Sequence, residues 1–321
     1  MSRACVLLPE WKRCVASVTV ASGTLSHWLA RGDRLESRPA GIEHAIRELF
    51  EFSGSHLPAA ALSRQVDFGD AAGSAWLRAD PAHVRADMTT ARMLACGQLG
   101  LTASECAEIA KALQPLFGDA GFEFDARLPD RWYLRAQPGG DLPRCASPDE
   151  AIGDDLKLHL PAGASGKRWR QLFNESQIIL HNHPVNERRA ARGAVSVNSL
   201  WFWGAGVLPD WVRSPLTRVV SHGLEIRGLA ALAGIPVVVP ASDGVYETQA
   251  QDAAAAWLVD LVDLGELRGD ALEQSGLQPL DRALRRGVFD MVELLFATGE
   301  RFRYRSTHRY RFWRRPRELR R

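Results

Sequence analysis

The chain has 321 residues, 46% of them hydrophobic and 24% charged, with 27 Gly and 17 Pro. This composition excludes a disordered, collagen-like or coiled-coil architecture and leaves ample apolar material for a core. The formal charge of +2 hides an asymmetry: residues 301–321 hold ten Arg against Glu318 alone, a segment of +9, while the first 300 residues carry 30 basic and 37 acidic side chains, a body of −7.

Residues 5–8 are a short apolar run stopped by Pro9, the pattern of a buried first strand. Residues 42–52 place Ile42, Ala45, Ile46, Leu49 and Phe50 at helical spacing. Residues 84–99 read as a helix with Met93, Leu94 and Leu99 on its apolar side. Thr102 and Glu105 form an S/T-x-x-E capping box that opens a helix running to Leu116. Residues 122–124 and 132–135 read as strands, 137–149 as a loop, and 167–180 as a helix. Residues 181–215 read as irregular, and 221–240 as a helix stopped by Gly234 before a buried strand. An apolar run at 253–264 and a helix at 280–289 follow. Arg301-Phe-Arg-Tyr-Arg305 and His308-Arg-Tyr-Arg-Phe312 alternate with period two around Ser306-Thr307, which predicts a terminal β-hairpin with aromatic and Arg faces.

Five Cys without a C-x-x-C pair fit a reducing compartment, and no apolar run approaches the length of a membrane span. A cytoplasmic protein is expected.

The densest polar cluster is His181-Asn-His-Pro-Val-Asn-Glu-Arg-Arg189, followed by Asn198-Ser-Leu-Trp-Phe-Trp-Gly-Ala-Gly206. An H-x-H pair can ligate a metal from one strand face, but no Cys or regular carboxylate spacing completes a site, which favours His that cap a turn. Asn186 and Asn198 suit side chain–backbone bonds, and Trp201 and Trp203 alternate as on a strand. Gly163-Ala-Ser-Gly-Lys167 fails as a phosphate loop because Arg168 follows the Lys. Residues 76–87 pack two acids, two Arg and a His around Pro81, either as an internal ion-pair network or as the lining of an anion site. Aromatic–Arg alternation in the tail suits single-stranded nucleic acid. A hairpin with one aromatic face must bury that face, however, so packing on the acidic body is the favoured reading.

Four motifs carry a resemblance: Trp76-Leu-Arg-Ala-Asp-Pro-Ala-His-Val-Arg85, His183-Pro-Val-Asn-Glu-Arg-Arg189, the 198–206 segment, and His308-Arg-Tyr-Arg-Phe-Trp-Arg-Arg-Pro316. Together they resemble a proteobacterial family of phosphoglycerate mutase-related proteins that includes the E-type regulatory protein of the Rpf pathogenicity-factor cluster. More distantly the chain resembles archaeal-type, cofactor-independent phosphoglycerate mutase of the alkaline phosphatase superfamily. His183, Pro184, Asn186, Arg189, Asn198, Gly204 and Gly206 occupy the places of that enzyme's H-P-x-N-x-x-R segment and Gly-rich turn.

The resemblance implies two divalent metals held by Asp and His, and it lapses at those positions. The first strand leads to Leu8-Pro-Glu10 instead of an Asp-Gly pair. Asp263-Leu-Gly-Glu-Leu-Arg-Gly-Asp270 keeps Asp263 but has Leu267 for the His. Phe296-Ala-Thr-Gly-Glu-Arg301 lacks the closing Asp-His. Loss of several ligands should abolish two-metal phosphoryl transfer.

The expected fold is therefore α/β, a mainly parallel sheet flanked by helices with an alkaline phosphatase-like core (1–75 and 199–321), an inserted α+β domain (76–198) and a C-terminal β-hairpin. The expected function is a regulatory relative of the mutase that has lost the bimetal site and binds a phosphorylated metabolite or a protein. Asp80, Arg85, Arg92, His183, Asn186, Arg189, Asn198 and Trp203 are the candidate ligand contacts. No cofactor, nucleic acid or membrane partner is expected. The alternatives are an active mutase or phosphohydrolase, using Mn or Mg on His181, His183 and Asp263, and a nucleic-acid-binding regulator acting through the tail.

Overall fold

Residues 4–8 are apolar and every one is buried, on both faces of the strand they form. Such a run belongs in the middle of a parallel sheet whose two sides are covered, and that is its place here. The computed structural model describes residues 1–10, 23–87, 90–163, 165–240, 255–262 and 271–314. Contacts divide the chain into two units, Met1–His56 with Asp210–Arg321, and Leu57–Pro209.

In chain order the strands are β1 (Arg3–Leu8), β2 (Asp33–Arg34), β3 (Glu51–Phe52), β4 (Ala75–Ala86), β5 (Ala91–Cys96), β6 (Glu123–Asp125), β7 (Tyr133–Ala136), β8 (Ser199–Val207), β9 (Val212–Arg213), β10 (Arg218–Val220), β11 (Val237–Val238), β12 (Ala256–Asp260), β13 (Met291–Phe296) and β14 (Arg301–Arg305). The helices are α1 (Thr24–Arg31), α2 (Ile42–Leu49), α3 (Ala59–Phe68), α4 (Ala103–Asp119), α5 (Pro148–Ala151), α6 (Ser165–His181), α7 (Pro184–Ala191), α8 (Leu224–Leu232) and α9 (Gln278–Arg285). Among the described residues no helix is long and apolar enough to cross a membrane.

The first unit is a seven-stranded sheet in the order β11-β10-β12-β1-β13-β14-β2. Its first five strands are parallel, and β14 and β2 close one edge antiparallel. One face buries Val6, Leu8, Trp257, Val259, Val292 and Leu294 together with Trp28 from α1 and Leu280 and Leu284 from α9. The chain is thus α/β, with a mainly parallel sheet flanked by helices.

The C-terminal hairpin exists but lies elsewhere than the alternation predicts. β14 pairs with β13, not with 308–312. The turn is closed by Phe296 N–H to Glu300 O (3.0 Å) and Gly299 N–H to Phe296 O (2.8 Å), with Gly299 at φ +92°. Residues Ser306–Tyr310 form a 3-10 turn instead of a strand. That turn buries His308 edge-on against Tyr304, which straight alternation could not do.

The second unit is built on β4, twelve residues long, which pairs antiparallel with β5 and β7 along one side and with β8 along the other. Helices α4 and α6 cover one face, packing Ile109, Leu113, Phe117, Trp169 and Phe173 with Leu77, Ala79 and Leu134. The helix expected over 84–99 is absent. Residues 84–86 end β4, the chain turns with Asp87 N–H to Thr90 O (2.8 Å), and β5 returns. Within β5 Met93 is buried and Leu94 exposed, the alternation of a strand. The expected boundaries at 76 and 198 fall inside this unit, because β8 is the long partner of β4 and belongs with it.

Candidate functional site

Period two on β4 puts Trp76, Arg78 and Asp80 on the face opposite Leu77 and Ala79. Arg78 and Asp80 are therefore neighbours, joined by Nε to Oδ1 (2.9 Å) and Nη2 to Oδ2 (2.8 Å), with both side chains buried. Asp80 also accepts Trp203 Nε1–H (2.7 Å) and Trp132 N–H (3.1 Å). Arg78 lies 5.0 Å from the Trp203 ring centre and donates to Ser63 Oγ (3.3 Å). Burial pushes the Asp80 carboxyl up, against the pull of Arg78 and Trp203. The sequence candidates Asp80 and Trp203 do meet, but in a closed network in which both carboxylate oxygens are already supplied with donors.

The second motif is committed in the same way. Asn198 mimics a strand partner, accepting Val84 N–H (2.8 Å) and donating to Val84 O (2.7 Å). Asn186 donates to Leu180 O and Val197 O (2.7 and 2.8 Å) and accepts Val197 N–H (2.8 Å). Arg189 is fully buried and reaches Leu99 O, Val195 O, Gly100 O and the Glu105 carboxylate. Arg85 and Arg92 face each other across the β4–β5 pair, both exposed, with Arg92 donating to Gly153 O (3.1 Å).

The H-x-H pair does not lie on one strand face. His181 ends α6, exposed, and His183 is the N-cap of α7, its Nδ1 accepting Val185 N–H (3.3 Å). Pro184 at the first helical position fits that cap. Asp263 and the 263–270 run lie outside the described residues. Among the described residues no three His, Cys, Asp or Glu side chains cluster as a metal site needs. The position expected to supply Asp-His is the tight β13–β14 turn, where Thr298 donates to Glu300.

Open α/β sheets bind ligands beyond the carboxyl ends of their strands. There β12 ends in Asp260 and β10 runs into Ser221, and both side chains are buried. Ser221 Oγ–H donates to Asp260 Oδ2 (2.6 Å), Gly223 N–H to Ser221 Oγ (2.9 Å), and Val262 N–H to Asp260 Oδ1 (3.1 Å). The pair locks the entry to α8.

The second unit also holds a cleft of about 650 Å³ between α4 and the edge strand β6. Ala103, Ala107, Ala110 and Gln114 line one side, and Arg64, Asp70, Trp76, Asp125, Arg127 and Arg135 line the other. Arg64 is buried over the Phe68 and Trp76 rings and fixed by Asp70 (2.5 and 2.6 Å) and Asp125 (2.6 Å). Its bonds hold the Asp70 carboxyl below the ordinary range, with burial opposing. Burial works to raise Asp125, and the bonds from Arg127 and Arg64 outweigh it, so that carboxyl too lies low. Arg127 spends Nε and Nη2 on Asp125, and Arg135 spends Nε on Ser74 and Nη1 on Glu123. Among the described residues no acceptor bonds Arg127 Nη1 or Arg135 Nη2. Sequence reading missed this cluster because Arg64, Asp70 and Arg127–Arg135 come from separate segments. The Asp125-x-Arg127 spacing was the one local signal.

No family model matches the chain. It is 28% identical over 184 residues to a probable 2,3-bisphosphoglycerate-independent phosphoglycerate mutase of Geobacter sulfurreducens, covering 55% of this chain and 46% of that one. It is 27% identical over 163 residues to the corresponding mutase of Methanosarcina barkeri, covering 49% and 41%. The chain thus spans about half the length of the curated relatives it matches. A solved cofactor-independent phosphoglycerate mutase from Thermoplasma acidophilum overlays 95% of this chain and 89% of its own at 18% identity, with a TM-score of 0.42 that carries no argument. On the sequence matches, the chain is a distant homologue of the cofactor-independent phosphoglycerate mutases.

Proposed function

We propose that this is a phosphoglycerate mutase-related protein that binds a phosphorylated small acid without turning it over. Its role is regulatory, of the kind implied by the resemblance to the proteobacterial Rpf-cluster family. What carries the reading is the use made of the shared motif: His183, Asn186, Arg189 and Asn198 all bond to backbone or to a buried carboxylate. The matching residues thus serve the scaffold. The β13–β14 turn supports the same view, because it fills the place of a metal-binding pair with a tight connection.

The ligand contact is assigned to the second unit's cleft, where Arg127 and Arg135 offer charge-assisted donors over an aromatic floor. Calorimetric titration of the full chain with 3-phosphoglycerate tests this. Binding that weakens about tenfold in Arg127→Ala and in Arg135→Ala is expected, the size of one lost charged hydrogen bond. No heat of binding, or unchanged affinity in both variants, contradicts it.

A further inference from the structure

Six Arg of the C-terminal segment lie among the described residues, and they divide into two sets. Arg301 pairs with Glu48, Arg303 with Glu293 (2.8 Å) and Arg311 with Asp33 (2.6 Å). Among the described residues no carboxylate forms an ion pair with Arg305, Arg309 or Arg314. Direct ion pairs among the described residues thus take up three of the six, and Asp33 acts on Arg314 at longer range.

The aromatic residues divide in the same way. Tyr304 stacks on Trp28 (5.8 Å) and meets His308 edge-on (5.7 Å), inside the unit. Tyr310, Phe312 and Trp313 stand 62%, 76% and 68% exposed. Their neighbours are pinned: the Arg31 side chain donates to Arg309 O (3.0 Å), and the Arg311 and Arg314 side chains donate to Arg31 O (2.9 Å) and Gly32 O (3.2 Å). Phe312 and Trp313 meet edge to face at 5.4 Å, and the Arg309 guanidinium lies 4.7 Å over the Tyr310 ring. Three rings are thus held in solvent on an anchored turn, and among the described residues Arg305, Arg309 and Arg314 form no direct ion pair with a carboxylate.

We propose that this surface, formed by Arg305, Arg309, Tyr310, Phe312, Trp313 and Arg314, binds single-stranded nucleic acid. Unpaired bases stack on the exposed rings, and phosphates meet the guanidiniums. The burial that favoured a purely structural tail stops at the 3-10 turn: Phe302 packs against the core and Tyr304 and His308 are buried, whereas Tyr310, Phe312 and Trp313 are not. The chemistry fits a strand better than an anionic membrane: residues 305–314 contain no aliphatic side chain larger than the Thr307 methyl, whereas interfacial segments combine Leu with their aromatics. Duplex DNA hides the base faces that these rings would use.

Fluorescence anisotropy of the full chain with a labelled oligo(dT) tests the proposal. Binding that weakens with salt is expected. It should weaken about tenfold or more in the Phe312→Ala/Trp313→Ala double variant, whose changes lie at exposed positions and should leave the melting temperature intact. Arg309→Ala and Arg314→Ala should each flatten the salt dependence. No binding at low salt, equal affinity for duplex, or full binding by the double variant overturns it. So does ring-dependent sedimentation with phosphatidylserine vesicles when oligo(dT) binding does not depend on the rings.

Discussion

Arg189 Nη1 lies 3.2 Å from Glu105 Oε2, and this buried pair ties the His183–Arg189 segment to the start of α4. Glu105 is also the closing residue of the capping box, receiving Thr102 N–H (2.9 Å). The same Arg spends its other donors on three backbone carbonyls. Arg189→Met would leave Glu105 with Arg192 (2.7 Å) and Thr102 as partners but would strip three backbone carbonyls of their donor. A loss of about 2–4 kcal/mol is expected, read as a lower urea midpoint, and a change below about 1 kcal/mol would mean that these bonds are incidental.

Asn186 and Asn198 should behave as cross-links. Each bonds to both the N–H and the C=O of a distant residue, Val197 and Val84 respectively. Substitution to Ala leaves those groups without partners and should cost about 1–3 kcal/mol per residue. Asn198→Asp should not rescue, because a carboxylate cannot donate to Val84 O. Thermal denaturation of the three variants checks this.

Gly204 holds φ +67°, and a Cβ there would lie 2.9 Å from Ala59 Cβ and 3.1 Å from Ala60 N. The glycine lets α3 lie against β8. Gly204→Ala should destabilise by about 1–3 kcal/mol through strain and overpacking, whereas Gly73→Ala, with open space around it, should show the backbone cost alone.

Acid sensitivity should come partly from Arg64. Its bonds hold the Asp70 carboxyl below the ordinary aspartate value of 3.8. The unfolded chain therefore takes up that proton first, and stability is full above pH 3.8 and falls as pH drops toward the lower folded value. Asp70→Asn should melt with a shallower pH dependence below pH 4 than the parent. Equal slopes would assign the acid transition to other carboxylates.

Much of this was legible in the sequence where one local signal decides the outcome. The capping box at Thr102 and the all-apolar run at residues 4–8 are of that kind, and both lie where expected. The helix expected over 84–99 failed because Met93, Leu94 and Leu99 share a helical spacing by chance, while the pairing of β5 with β4 is a tertiary fact. The terminal hairpin failed for a related reason: alternation identifies a strand but not its partner, and Gly299 makes the earlier turn the sharper one. Of the candidate site residues Asp80 and Trp203 meet, and sequence could not show that Asn186, Arg189 and Asn198 spend their bonds on backbone groups and on Glu105. The Arg64 cleft was hidden because its parts converge only in space.

We propose that the mutase scaffold persists here without mutase chemistry. The most direct test is to assay the full chain, with Mn²⁺ and then Mg²⁺, for interconversion of 3- and 2-phosphoglycerate and for phosphate release, together with metal analysis of the purified protein. The account predicts no turnover above the blank and no stoichiometric metal. Turnover that a chelator abolishes and added metal restores would contradict it.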